Sequence, residues 1–591
     1  MGSSRLIDAL PQATSDDHRG ALLGDLAAAI AGHQRCPEPA ALPDRTSSGW
    51  TSQLDASLLV ADTLGRALEL LTASDPRQER GAHFTPMRLA DRVARRVVDN
   101  LATKQSQSPP VVLDPAAGGG AFLLAAARTL RSHGFGEGDI VTNLHAADID
   151  QQSLDVCRAG LHLWSRGAAE PHVHHGDAPV TLGTAPLADI IVGNPPFLSQ
   201  LRTKTSRSGQ RQGLPETFGL GNLGYLDEAG VFVVACAHWL RPDGSLALIL
   251  PQSLLAAADA QHARILTGER LRLKEILIPD RDAFEASVEV AVLMATGRES
   301  GEAYTIDVRA GGCATTVPYP HKGEWSIALA ATQGVPPVQL SSSNDDGRTL
   351  ATLASVTAGF RQHFYGLDGA VQEEEQRDQD ASNASLPRLV TVGAIDPLVC
   401  YWGERSVKFN GSKWLRPVVA MDEIVDSSVR DWFEQRRRPK LLLASQTRIV
   451  EVLPDPLGRY LPSVPVLTVE WGTNADEGLM WRLTAMLSSA ETCAHLRNRS
   501  AGTGLSDTSI RIRASQLVNL PLPSGLEAWQ EAANTAQSAF SESDPEARFG
   551  LMRTMVERMH VAWGTPKEIA HELTSWWTAE ATRRRRSQPV T

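Results

Sequence analysis

The sequence is poor in cysteine, aromatic residues and unbroken apolar runs, and it has no excess of positive charge. Its six cysteines, Cys36, Cys157, Cys236, Cys313, Cys400 and Cys493, lie far apart in 591 residues, with no C-x-x-C pair and no histidine at finger spacing. That excludes a disulfide framework or a zinc module as the organising element and points to reduced thiols. The most apolar stretch, Ser245–Ala258, is interrupted by Pro251, Gln252 and Ser253 and is too short to span a bilayer. The first residues lack a basic region followed by an apolar one, and Leu6 stands where a myristoylation signal has Ser or Thr. The expectation is a cytoplasmic protein with no membrane association. Lys+Arg 57 against Asp+Glu 68 leaves −11, so an indiscriminate polyanion binder is excluded and any nucleic-acid surface must be local.

What is present is an ordinary globular composition, 42% hydrophobic and 21% charged, in a chain long enough for several domains at roughly 150 residues each. Residues 1–80 read as an N-terminal helical segment, with apolar spacing over Ala21–Ala31 and Leu54–Thr72. From 81 to 300, short aliphatic runs such as Val111–Leu113, Leu144–Ile149, Ile190–Val192, Leu246–Leu250, Glu275–Ile278 and Val288–Ala295 alternate with helical stretches. The predicted class is α/β, a doubly wound, mostly parallel Rossmann-like sheet. Residues 301–350 read as a connector, 351–525 as a mixed α+β domain and 526–591 as a helical region with a basic tail, Arg583–Arg586. The polar stretches Ser341–Arg348 and Glu373–Ser385 read as linkers or exposed loops.

Three strand ends carry the chemistry. Asp114-Pro115-Ala116-Ala117-Gly118-Gly119-Gly120-Ala121-Phe122 puts glycines between a buried strand and a helix, where backbone must approach a ligand or take positive φ. The dinucleotide pattern G-x-G-x-x-G is absent, and the leading acid suits a ligand bearing an ammonium rather than a pyrophosphate. Asp148, with Ile149 beside it, ends a second strand and can accept from both ribose hydroxyls, while Asp150 caps the next helix. Asp177 is placed to accept from an adenine amino group. His172, His174 and His175 alternate in a short strand with no carboxylate at zinc spacing, so no metal is assigned. The apolar run Asp189–Gly193 leads directly into Asn194-Pro195-Pro196-Phe197. Two prolines stiffen the backbone and leave carbonyls free to accept. The Asn194 side-chain oxygen and the Pro195 carbonyl can grip both hydrogens of a planar amine, and Phe197 offers a face for its ring.

In this order the motifs resemble the S-adenosylmethionine-dependent DNA adenine-N6 methyltransferases of the γ group. Gly81-Ala82-His83-Phe84-Thr85-Pro86 is similar to that family's opening G-x-[aromatic]-[aromatic]-T-P, with His83 at the first aromatic place. The resemblance implies S-adenosyl-L-methionine as cofactor, held by Phe84, Thr85, Pro86, Asp114, Pro115, Ala116, Gly118, Gly120, Phe122, Asp148, Ile149 and Asp177. It implies Asn194, Pro195, Pro196 and Phe197 as catalytic, no metal, and an adenine flipped between Phe197 and Phe284. Val356–Gly366, Leu483–Leu496, Gly502–Ser506 and Leu520–Pro523 resemble the C-terminal target-recognition half of such enzymes. Arg436, Arg437, Arg438 and Lys440, near Trp432 and Phe433 and with Arg448, Arg497 and Arg499 further on, are the expected phosphate contacts on double-stranded DNA. Residues 1–80 contain no strand-borne acid-x-Lys pair, so methylation without intrinsic cleavage is expected, in a restriction-modification or phage-defence system with a separate restriction or defence protein as candidate partner. The alternatives are a glutamine or ribosomal-RNA amino-methyltransferase, which leaves the second half of the chain unexplained, and a non-catalytic DNA-recognition subunit, against which the intact Asp148, Asn194 and Phe197 argue.

Overall fold

The structure, a computed structural model, describes residues 6–7, 9–46, 48–73, 85–102, 108–197, 214–221, 227–279, 289–297, 304–319, 323–338, 340, 347–359, 361–374, 386–472, 478–503 and 509–586. The linker stretches 341–346 and 375–385 and the turn 504–506 fall outside them. The chain divides into two compact units, Met1–Trp325 and Ser326–Thr591.

The first unit is built on a nine-stranded sheet. Its strands are β1 (Val112–Asp114), β2 (Leu144–Asp148), β3 (His172–His175), β4 (Ala188–Gly193), β5 (Leu240–Pro251), β6 (Leu271–Ile278), β7 (Val290–Gly297), β8 (Thr305–Ala310) and β9 (Cys313–Pro318), in the order β3-β2-β1-β4-β5-β7-β6-β8-β9. The first five run parallel to one another, and β7 is antiparallel to both β5 and β6. The runs in β1 and β4 are almost wholly apolar because helices cover both faces; Val112, Leu113, Ile190, Ile191 and Val192 are fully buried. Helix Met87–Ala102 turns Leu89, Ala90, Val93, Ala94, Val97 and Val98 inward at helical spacing. Helix Ala121–Ser132 joins the same core through Phe122–Ala127 and Leu130.

Two readings of the sequence change here. Over Leu54–Thr72, where one helix is expected, the chain forms a 3-10 turn, Ala56–Leu58, and then helix Asp62–Ala73. Asp55 accepts from the Ser57 backbone N–H at 2.8 Å, a local bond that competes with a continuous helix. The sheet also runs on past residue 300, because β8 and β9 form a hairpin at its edge. Cys313–Thr316 of β9 are exposed, so no apolar run marked the strand.

The second unit has two four-stranded sheets. One orders Ser355–Ala358, Leu467–Glu470, Lys440–Leu443 and Val452–Asp455, all antiparallel, and the other orders Val371–Glu373, Pro417–Val419, Arg388–Val390 and Tyr460–Pro462. Helices Leu479–Ser488, Ala490–Ser500, Leu526–Ser541, Pro545–Trp563 and Lys567–Arg586 follow. A break falls at Ser489, whose hydroxyl accepts from the Thr492 N–H at 3.2 Å and so starts a new helix.

The basic segment expected to meet DNA lies largely inside this unit. Lys440 is 0% exposed and paired with the buried Asp455 across two strands. Arg436 is 4% exposed, stacks 3.5 Å over the Trp432 ring and donates to the Trp432 carbonyl and the Thr357 hydroxyl. Burial lowers the affinity of both groups for their protons. Arg497, 1% exposed, donates to Gln333 and to the Arg448 carbonyl. These three serve packing, whereas Arg437, Arg438 and Arg499 are exposed, the first two each bridged to a glutamate. Lys440→Ala leaves Asp455 buried without its cation, so it is expected to cost about 3–5 kcal/mol. Thermal unfolding of the variant checks this; unchanged stability would show that Lys440 is not an internal anchor.

Candidate active site

The sheet order lays the carboxyl ends of β3, β2, β1 and β4 side by side, and the strand order reverses between β1 and β4, the place where open α/β sheets form a crevice. At spacings of about 5 Å, these four strand ends span roughly 15 Å. Asp114 ends β1, Asp148 ends β2, Asp177 follows β3 and Asn194 follows β4.

Two glycines let these ends come close. A Cβ on Gly193 would lie 2.9 Å from Asp114 Oδ1 and 3.2 Å from Pro115 Cδ, so the Asp114 carboxyl rests against the backbone that delivers Asn194. Gly118 takes φ +49, and nothing lies within 4 Å of where its Cβ would be. Its N–H donates to Asp148 Oδ2 at 2.8 Å, the Asp150 N–H donates to Oδ1 at 2.9 Å, and the Ala117 N–H reaches the Ala147 carbonyl at 2.9 Å. The glycine turn and the second acid are thereby one hydrogen-bonded unit. Gly120, at φ +86, begins helix Ala121–Ser132, with Cys157 Sγ 2.8 Å from where a Cβ would sit.

Asp114 is 1% exposed, and its Oδ1 accepts from the Ala116 N–H at 3.1 Å. Burial pushes its carboxyl up to about 8, partly countered by that bond. Burial also raises Asp148, against the backbone donors that favour its charged form. Ile149 is 46% exposed beside it, an apolar surface at the mouth of the crevice. Asn194, Pro196 and Phe197 are half-buried, Pro195 is buried, and Phe197 packs on the edge of the core. Pro115 is buried, Ala116 and Asp177 half-buried, and Phe122 lies in the core at 2% exposure. Thr85 and Pro86 are half-buried just ahead of helix Met87–Ala102, whose first turn begins with the Leu89 and Ala90 N–H groups donating to the Pro86 carbonyl. Gly81–Phe84 and Phe284 lie outside the described residues.

The histidines of β2 and β3 form a stack. His145 lies 4.5 Å from His172 and 5.5 Å from His174 between ring centroids, and its Nδ1 is 3.2 Å from His174 Nε2. Burial, then the nearby His172, His174 and Arg241, lowers His145 to about 4. Among the described residues, no group of three or more His, Cys, Asp or Glu side chains is placed to hold a metal ion. Likewise no helix among them is long and apolar enough to cross a membrane.

Reading the sequence missed two participants. Gly193 was visible as a glycine inside an apolar strand, a mark of close backbone approach. Gly65 sits on helix Asp62–Ala73 with its Cα 2.7 Å from where a Gly119 Cβ would lie; an isolated glycine in a helical pattern was its only signal.

Residues 60–297 match the family described as N-6 DNA Methylase. The family implies S-adenosyl-L-methionine as cofactor. The Type II methyltransferase M.BanIII of Aneurinibacillus aneurinilyticus is 26% identical over 235 residues, 37% of this chain and 39% of its own; the chain thus spans about two fifths of the length of that curated relative. Among solved structures, the Type IIL restriction-modification enzyme MmeI in complex with DNA superposes with a TM-score of 0.61 at 13% identity, over 99% of both chains, a likeness of fold. The type IIG restriction endonuclease BpuSI, also 13% identical, covers 99% of this chain and 80% of its own with a TM-score of 0.48.

The residues present fit that cofactor. Asp114 is a desolvated acid with no cationic partner among the described residues, the space over Gly118 is open, and Asp148 keeps a lone pair beyond its backbone donors. A ligand cation beside Asp114 favours the carboxylate, so at pH below about 8 binding must expel a proton. S-adenosylmethionine affinity is therefore expected to fall as pH drops from 8.5 to 6.5, by at most about tenfold per unit. Titration calorimetry in buffers of different ionisation enthalpy reads the released proton, which Asp114→Asn removes. A pH-independent affinity in the unmutated protein would refute the assignment.

Proposed function

We propose that the protein is a site-specific DNA methyltransferase of the γ group, which transfers a methyl group from S-adenosylmethionine to the N6 amino group of a flipped-out adenine. The observation that carries this reading is the placement of Asn194-Pro195-Pro196-Phe197 at the end of β4, directly beside the buried Asp114 at the end of β1.

When bound, the cofactor supplies an electrophilic sulfonium methyl. Asp114 balances the charge of its amino-acid end, Asp148 accepts from ribose hydroxyls and Asp177 from the adenine amino group, while Ile149 lies against the nucleoside. On the substrate side, the Asn194 side-chain oxygen and the Pro195 carbonyl accept the two amino hydrogens of the target base. That grip draws the nitrogen lone pair out of conjugation with the ring and directs it at the methyl. Pro196 keeps the turn rigid, and Phe197 stacks on the ring, opposed by Phe284. Stacking worth roughly 1–3 kcal/mol offsets part of the few kcal/mol that extrusion costs.

Recognition of the surrounding sequence is assigned to the second unit, with Arg437 and Arg438 as surface cations. The M.BanIII and MmeI likenesses support a role as the modification component of a restriction-modification or phage-defence system, with double-stranded DNA and a separate restriction or defence protein as partners. Intrinsic cleavage forms no part of the proposal, and nicking of supercoiled DNA by the purified protein with Mg²⁺ would contradict it.

Asn194→Ala is expected to lower methyl transfer by roughly 10²–10³-fold or more while leaving S-adenosylmethionine affinity within a few-fold, because Asn194 faces the amine. Sequencing of modified adenines in DNA from cells expressing the protein, beside calorimetry of the variant, measures both. Full methylation by the variant would remove the mechanism.

A further inference from the structure

A short hairpin in the second unit pairs Val407–Phe409 with Ser412–Trp414. Its two-residue turn, Asn410-Gly411, takes φ of +44 and +80, the left-handed pair that favours Asn-Gly. Alternation along the strands sends one set of side chains inward: Val407 is 6% and Phe409 4% exposed, and Trp414 packs against the same two apolar clusters. The Trp414 indole N–H donates to the Phe409 carbonyl at 3.2 Å, and the Asn410 amide donates to Asp368 at 2.7 Å. The hairpin is therefore held firmly in one pose.

The outer face carries Lys408 and Lys413, both exposed and directly opposite each other in the register. Neither has an ion-pair partner among the described residues, and Asp368, the carboxylate at the turn, is engaged by Asn410. Side chains so placed have Cβ atoms about 4.5–5.5 Å apart, where like charges repel and weaken the pairing. A rigid face made only of two mutually repelling cations is a liability in the free protein, and an anion that bridges both ammonium groups relieves it.

We propose that the Lys408–Lys413 face is a contact for the phosphodiester backbone of duplex DNA. The inference rests on the DNA reading given above and adds the surface that the sequence misplaced at Arg436 and Lys440. Two lysines on one rigid face suit neighbouring phosphates of one strand, and contacts to phosphate contribute register and affinity without sequence preference.

The test is binding of the full-length protein to duplexes with and without its methylation site across a salt series, for the unmutated chain and for Lys408→Gln with Lys413→Gln. Each phosphate contact contributes about 0.9 to the slope of log affinity against log salt. The variant should flatten the slope by about two, so that from 50 to 200 mM salt the unmutated protein loses roughly tenfold more affinity than the variant. Both duplexes should be affected alike, and Lys408→Arg with Lys413→Arg should restore the slope. The Gln variant should melt at the same temperature or higher, because a repulsion is gone; a contact needed only for packing moves stability the other way. If the unmutated protein binds duplex DNA but the slope is the same in the Gln variant, the hairpin is not a phosphate contact and the methyltransferase reading stands. If the folded, cofactor-binding protein binds no duplex at all, both readings fail.

Discussion

The carboxyl of Asp114 lies against the backbone of Gly193, and this contact decides what the first unit can do. It needs a side-chain-free residue at the last position of β4, and it needs the carboxyl to be out of water. Both follow from parallel pairing of β1 with β4 deep between helical layers. Because β2 pairs with the other side of β1, the same strand fixes Asp148, which in turn grips the glycine turn through the Gly118 N–H. The buried carboxyl, the glycine turn and the Asn-Pro-Pro-Phe segment are thus all placed by where one buried strand ends.

The second unit handles charge in the opposite way. Lys440, Arg436 and Arg497 are inside, tied to Asp455, to Trp432 and Thr357, and to Gln333, so cations that counted toward a basic patch in the linear sequence are spent on holding sheets and helices together. A buried pair such as Lys440 with Asp455 is costly to desolvate and more costly to break, which suits a role in fixing strand register.

Local signals were legible in the sequence. The strand-then-glycine turn, the acids at strand ends and the proline-stiffened tetrapeptide are contiguous patterns whose geometry follows from a few neighbouring residues, and the helical reading of 526–591 fits helices Leu526–Ser541, Pro545–Trp563 and Lys567–Arg586. What escaped depended on partners distant in the chain. Nothing in the string around Lys440 reveals that Asp455 will face it across an antiparallel pair. The exposed edge strand β9 lacks the apolar run that marks a core strand. Ser489 breaks a helical pattern through a single side-chain bond, and the opposed lysines become neighbours only once the Asn410-Gly411 turn closes.

The approach of Gly65 to Gly119 bears on how the first unit can be transplanted. Helix Asp62–Ala73 touches the glycine turn backbone to backbone, so the portable module starts ahead of that helix and not at the later Gly81. A chimera joined downstream of it would present the glycine turn to a foreign surface, and only a partner bearing glycine at the matching height could seat against it. The two positions form a lock and its key within one chain, and any transplant of the segment must carry both halves together.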